Sequence, residues 1–271
     1  MRHTIIIVVL NLAFSFFITS PSLADDWNNF NRLMDKYYFL DDQPVTEITC
    51  HVSVSSLNNI RTQLKPIEEK VEVDEDINTF SVTYKKGEGI TTSKPHFMVS
   101  LKTTEDVANP EQVKRGVETI NIGAADQISG VIDVIEGQLD ELIRPKKEKI
   151  SDLKVKASKG TTTVEYTKDK KQFREVYLGD SRKVFIKDPN NSMVIKSSDT
   201  FTLIAGKRAL SKSDMKLTLG DMATTMKMAI LYKQVGTVSF PSLLDQQAHI
   251  ENPSFKADAN FSINLDQCVS K

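Results

Sequence analysis

Residues able to carry chemistry are sparse in this chain, and what is missing narrows its function. Histidine occurs only four times. His51, His96 and His249 show no ligand spacing with one another or with cysteine, so no metal site is expected. No Gly-x-Ser-x-Gly turn with a partner histidine is present, which leaves a serine nucleophile without its usual setting. No glycine-rich phosphate loop precedes a helix, so no nucleotide cofactor is expected. Carboxylates are plentiful, but spacing singles out no pair for acid–base work. The expectation is a protein that is not an enzyme and uses no cofactor.

Long apolar runs are equally scarce. The one clear run, residues 4–19, lies between Met1-Arg2-His3 and Ser22-Leu23-Ala24. A basic start, a short apolar core and a small-residue cleavage site form the pattern of a secretory signal. Residues 1–24 are thus expected to be a signal peptide and residues 25–271 one domain, periplasmic or secreted. The run is short for a membrane span. No later stretch is apolar enough to cross a bilayer, and no cysteine follows the cleavage site to take a lipid. Charge of one sign is not in excess either: 35 Lys and Arg stand against 36 Asp and Glu. That balance argues against nucleic acid as a partner.

The chain holds two cysteines, Cys50 and Cys268, near the two ends of the expected domain. In an oxidising compartment such a pair is expected to form a disulfide, the alternative being two free buried thiols. The bond would close a loop of more than 200 residues, with a chain-entropy effect on the order of 5 kcal/mol.

Residues 109–144 have the longest single periodicity. Val113, Val117, Ile120, Ala124, Ile128, Val131, Ile132, Ile135, Leu139, Leu142 and Ile143 step by three and four, which gathers them into one stripe of an amphipathic helix. Asn109 and Pro110 suit its start, and Pro145 stops it. Gly116, Gly123, Gly130 and Gly137 recur every seven residues beside the stripe. Two readings of that line stand: a helix broken near Gly123, or a groove for another backbone or an acyl chain.

β-patterned segments flank this helix. A first helix is expected over residues 25–41, with Trp27, Phe30, Leu33, Met34, Tyr37 and Tyr38 on one face. Ile48, Cys50, Val52 and Val54 alternate as a strand. Helical spacing returns at Leu57, Ile60, Leu64, Ile67 and Val71, and the acidic run 68–76 reads as a solvated connection. Strands follow at Phe80, Val82, Tyr84 and at Phe97, Val99, Leu101. After the long helix, short strands recur about every nine residues between turn clusters, the mark of an antiparallel sheet, curved or closed. Ser197-Ser198-Asp199 reads as one of those turns. Met222, Met226 and Ile230 suit a short helix. Phe255, Ala257, Ala259, Phe261, Ile263 and Leu265 give the cleanest period-two strand.

Several pieces together resemble the periplasmic outer-membrane lipoprotein carrier (LolA-like) superfamily. They are the helix around Trp27 to Tyr38, the strand at Ile48 to Val54, and Gly87-Glu88-Gly89 with Lys94-Pro95-His96-Phe97. Leu178-Gly179-Asp180 leading to Val184-Phe185-Ile186-Lys187-Asp188, Phe240-Pro241-Ser242-Leu243-Leu244 and the terminal strand complete them. The resemblance covers about half of residues 25–271. It implies an α+β fold: a strongly curved antiparallel sheet, an open or half barrel, with its concavity lidded by helices and its apolar interior open to acyl chains. The helix at 109–144 is longer than the family's lids. On this reading Val117, Ile120, Ile128, Val131, Ile135, Leu139 and Leu142 are the expected ligand-facing residues. The expected partner is a lipid or other apolar small molecule. The alternative is an envelope structural or interaction protein with a fully packed core.

Overall fold

The computed structural model describes residues 23–55, 64, 71–76, 80–93, 95–102, 110–190 and 192–271. Helix α1 (Leu23–Met34) opens the described chain. Its first turn carries Asp25 and Asp26, which suit the positive end of the helix dipole. Asp26 is buried, and its Oδ1 accepts the Val155 amide at 2.9 Å. Tyr37 and Tyr38, expected on this helix, lie beyond it in extended chain. The Tyr38 amide donates to the Arg208 carbonyl, and the Arg208 amide to the Lys36 carbonyl.

Among the described residues the fold is α+β, with two long helices and a large antiparallel sheet. Strands β1 (Glu47–Val54), β2 (Val71–Asp76), β3 (Ser81–Lys85), β4 (Gly89–Thr92) and β5 (His96–Leu101) precede helix α2 (Pro110–Asp140). After α2 come β6 (Ser151–Ser158), β7 (Thr161–Lys168), β8 (Lys171–Leu178) and β9 (Ser181–Asp188). β10 (Met193–Ile204), β11 (Lys207–Leu219), β12 (Met222–Val235), β13 (Val238–Asn252) and β14 (Phe255–Ser270) are longer. Twelve strands form one open sheet in the order β4-β3-β1-β14-β13-β12-β11-β10-β9-β8-β7-β6; β2 and β5 pair separately. From β6 to β14 each strand pairs with the next. That meander comes from tight turns: at Ala205-Gly206 and Lys159-Gly160 both central residues have positive φ, the twist that two-residue hairpins need. Cys50 and Cys268 are disulfide-bonded. The bond joins β1 to β14 at the point where their register shifts.

Three expectations are corrected and a fourth lies mostly beyond what the structure describes. Met222, Met226 and Ile230 lie on strand β12, because a spacing of four fits one face of a strand as well as one face of a helix. Ser197-Ser198-Asp199 is the middle of β10, not a turn; Asp199 is buried there by a charged partner. The acidic run is not wholly a connection, since Val71–Asp76 forms β2 against β5. The helix expected over 57–71 lies largely outside the described residues.

Helix α2 runs unbroken through Gly123, so a break there is excluded. A Cβ added at Gly116, Gly123, Gly130 or Gly137 would meet nothing within 4 Å, so no backbone among the described residues packs into the glycine line. These glycines cost helix stability without a contact in return. The triple variant Gly116→Ala/Gly130→Ala/Gly137→Ala is expected to gain about 1–3 kcal/mol, read as a higher urea midpoint with an unchanged slope.

The stripe of α2 divides between two cores. Val117 packs with Leu64, Val71 and Val99, and Ile120 packs against that group. There the Asn121 side chain takes the Val99 amide and gives to the Val99 carbonyl, each at 2.9 Å. Ala124, Ile128, Val131, Ile135, Leu139 and Leu142 enter the main core, with residues of β1, β3 and β11 to β14. Ile135 and Leu139 are inaccessible to solvent.

Candidate ligand site

Residues paired directly across antiparallel strands point to the same face, so the registers trace rows of side chains across the sheet. One row reads Tyr177, Arg182, Asp199, Ser213, Met228, Gln246 and Phe261, from β8 to β14. Met228 and Phe261 belong to the main core beside the α2 stripe, so this is the face on which α2 lies. Two residues along each strand runs a second row: Glu175, Val184, Ser197, Met215, Met226, Ala248 and Ala259. A third follows: Phe173, Ile186, Ile195, Leu217, Thr224, Ile250 and Ala257.

Burial differs between the rows, although Glu175 in the second and Thr224 in the third are buried as well. Apart from half-buried Arg182 and Phe261, the first is buried. In the second and third, Val184, Ile186, Ile195, Met215, Leu217, Met226, Ala248, Ile250 and Ala257 are only half-buried. Soluble proteins seldom leave a mainly apolar strip of this kind uncovered. At about 4.8 Å between strands, the seven-strand rows span about 29 Å. An acyl layer occupies about 15 Å, half of a bilayer core, so the strip is long enough for a whole chain.

At its β8–β9 end the strip runs into a cavity of about 350 Å³, within the range of small-molecule sites. Phe173, Val184 and Ile186 belong to both, and Tyr37, Tyr166, Tyr177 and Phe201 add aromatic wall. Tyr37 meets Tyr177 and Phe201 edge-on, at centroid distances of 5.4 and 5.0 Å. Tyr166 stacks flat on Phe173 at 4.8 Å. Leu142 and Ile143, just past the end of α2, close the other side.

The cavity floor is charged. Arg182 Nε donates to Asp199 Oδ2 at 2.8 Å and Nη2 to Glu141 Oε2 at 2.7 Å, while Nη1 lies 3.8 Å from Glu175. Glu175 also accepts the hydroxyls of Tyr166, at 2.6 Å, and Tyr177. Asp199 accepts Ser213 Oγ at 2.7 Å. Burial works against the charge of Arg182, but Glu141, Glu175, Tyr177 and Asp199 outweigh it and hold the guanidinium protonated. Arg182 holds the Glu141 carboxyl below its usual range. Burial pushes the Tyr37 hydroxyl up to about 12, with Arg208 pulling the other way. Burial, then Glu175, raises Tyr166 and Tyr177 as well. These phenols stay neutral, and those of Tyr166 and Tyr177 donate to Glu175. Glu141 follows α2 directly, so this cluster ties the end of the helix to β8, β9 and β10.

The expected ligand-facing residues are therefore brought to the edge of this site more than into it. Val117 and Ile120 lie at the second core, and Ile128, Val131, Ile135 and Leu139 meet sheet side chains. Leu142 alone reaches the cavity wall. These half-buried rows are not among the expected ligand-facing residues, although the alternation at Met215 and Leu217 and at Ala257 is readable in the sequence. No group of His, Cys, Asp and Glu suited to a metal ion occurs among the described residues, and no helix among them is long and apolar enough to cross a membrane. No protein-family model matches the chain, and no curated protein or solved structure matches it.

Proposed function

We propose that the chain is an exported binding or carrier protein for a lipid or other apolar chain, held on the inner face of a curved, half-barrel sheet. The observation that carries this is the half-buried, mainly apolar strip that crosses seven strands, interrupted by Glu175, Ser197 and Thr224, and meets the cavity at its β8–β9 end. The methionines on it, Met215 and Met226, suit a surface that must fit a flexible ligand. Helix α2 packs its stripe against the sheet and forms a side wall of the concavity, and of that stripe only Leu142, just past the helix, reaches the ligand space. This architecture is in keeping with the LolA-like resemblance, as is export after Ala24: the helix then begins at Asp25, whose neighbour Asp26 is already anchored to β6.

The full burial of Ile135 and Leu139 favours a second reading, an envelope interaction protein with a packed interior. The two differ at Leu217, which is half-buried on the strip and outside the packed core. Leu217→Lys is expected to weaken binding of a fluorescent fatty-acid probe by about 100-fold, since it places an unpaired charge where the chain would lie. Its unfolding free energy should fall by less than about 1 kcal/mol. Unchanged probe affinity in Leu217→Lys, or no probe binding by the parent, would leave the interaction reading.

A further inference from the structure

Four of the polar side chains on the buried row satisfy one another: Tyr177, Arg182, Asp199 and Ser213 are joined, through Glu175, in the cluster at the cavity floor. Gln246, on the same row between Met228 and Phe261, does not share in it. It is 6% exposed. Its Oε1 is the one fully buried side-chain nitrogen or oxygen with no hydrogen-bond partner among the described residues. Its Nε2 lies 2.9 Å from Met226 Sδ, and a thioether is a weak acceptor. An amide left this way is less stable than a satisfied one, and leucine or methionine would fill the same volume without that cost. Because the amide reaches Met226, its polar end sits at the boundary between the packed row and the half-exposed strip. Met226, the hydrogen-bond neighbour of that amide, belongs to the strip itself.

We propose that the ligand carries a hydroxyl group within its apolar body and that Gln246 Oε1 accepts the hydrogen bond from that hydroxyl. The inference rests on the apolar-ligand reading and refines it: the chain supplies affinity along the strip, and Gln246 selects for a hydroxylated chain. Met226 moves aside as the chain settles, which its unbranched side chain permits. A hydroxyl at the matching position then finds a buried acceptor, whereas a plain chain leaves that acceptor unsatisfied. This asymmetry is how polar groups in apolar sites discriminate.

The test compares stearate with a series of monohydroxystearates differing in hydroxyl position, each displacing a fluorescent fatty-acid probe from the full chain. One position is expected to bind about 10-fold tighter than stearate, equivalent to one well-made buried hydrogen bond. Gln246→Leu should abolish that preference while binding stearate at least as tightly as the parent. Its melting temperature should hold or rise, because an unsatisfied group has been removed; a purely structural glutamine would give a lower one. Equal binding of stearate and every hydroxystearate by the parent would overturn the role of Gln246 and leave the apolar site standing. So would a preference that survives in Gln246→Leu. Failure of all the fatty acids to displace or bind would overturn the apolar-ligand reading as well.

Discussion

Arg182→Ala is expected to lower the unfolding free energy by about 3–5 kcal/mol. The loss is not that of one surface ion pair, which would amount to about 0–1 kcal/mol. Glu175 and Asp199 are 6% and 2% exposed, and without the guanidinium both stay buried with no cation beside them. The loss should therefore shrink when the stranded charges are removed too: Arg182→Met/Glu175→Gln/Asp199→Asn should recover much of it. Arg182→Lys should fall between, since an ammonium cannot reproduce the fork that donates to Asp199 and Glu141. Glu141 supplies an independent readout. Its carboxyl is depressed in the folded protein, so its contribution is present above the ordinary carboxylate range and fades as pH falls through the depressed value. In Arg182→Ala its titration should return towards the ordinary range. A variant of parental stability would show that the cluster is not what holds the end of α2.

Loss of the Cys50–Cys268 bond is expected to cost about 2–5 kcal/mol. The two residues are 218 positions apart in sequence, yet their strands are neighbours in the sheet. Opening the bond leaves the β1–β14 pairing in place and acts mainly by freeing the unfolded chain. Two preparations should thus agree: the Cys50→Ala/Cys268→Ala variant, and the parent under reducing conditions. Cys50 is fully buried, so the double variant also loses some packing and should be slightly the less stable. Denaturant unfolding of both, with an altered slope from a less compact unfolded state, checks this. A change below about 1 kcal/mol in both would contradict it.

Much of this fold is legible in the sequence, for reasons that also explain the failures. The meander from β6 to β9 is readable because short strands alternate cleanly and the turns between them carry glycine, aspartate or asparagine. The disulfide is readable because two cysteines leave one pairing. Strand β12 is not, because Met222, Met226 and Ile230 fit both periods and only pairing with β11 and β13 decides between them. Asp199 looks like a turn residue until Arg182, on the neighbouring strand, is seen to neutralise it. The glycine line of α2 invites a contact that no described residue makes. The stripe of α2 is plain in the sequence, but which of its residues meet sheet and which meet open space depends on where the helix lies. For the candidate site the decisive quantity is the exposure left on Ile195, Met215, Leu217 and Ile250. Periodicity gives the face of a strand, not what covers it.

The central claim, that an apolar chain lies along the inner face of β8 to β14, is tested most directly by light-induced cross-linking with a fatty acid bearing a diazirine on its chain. After irradiation, digestion and peptide mass spectrometry, labels should concentrate on Ile186, Ile195, Met215, Leu217, Met226 and Ile250. Excess unlabelled fatty acid should suppress them. Labels confined to the exposed apolar residues Leu203, Leu231 and Val269, or labels that competitor does not reduce, would contradict the account.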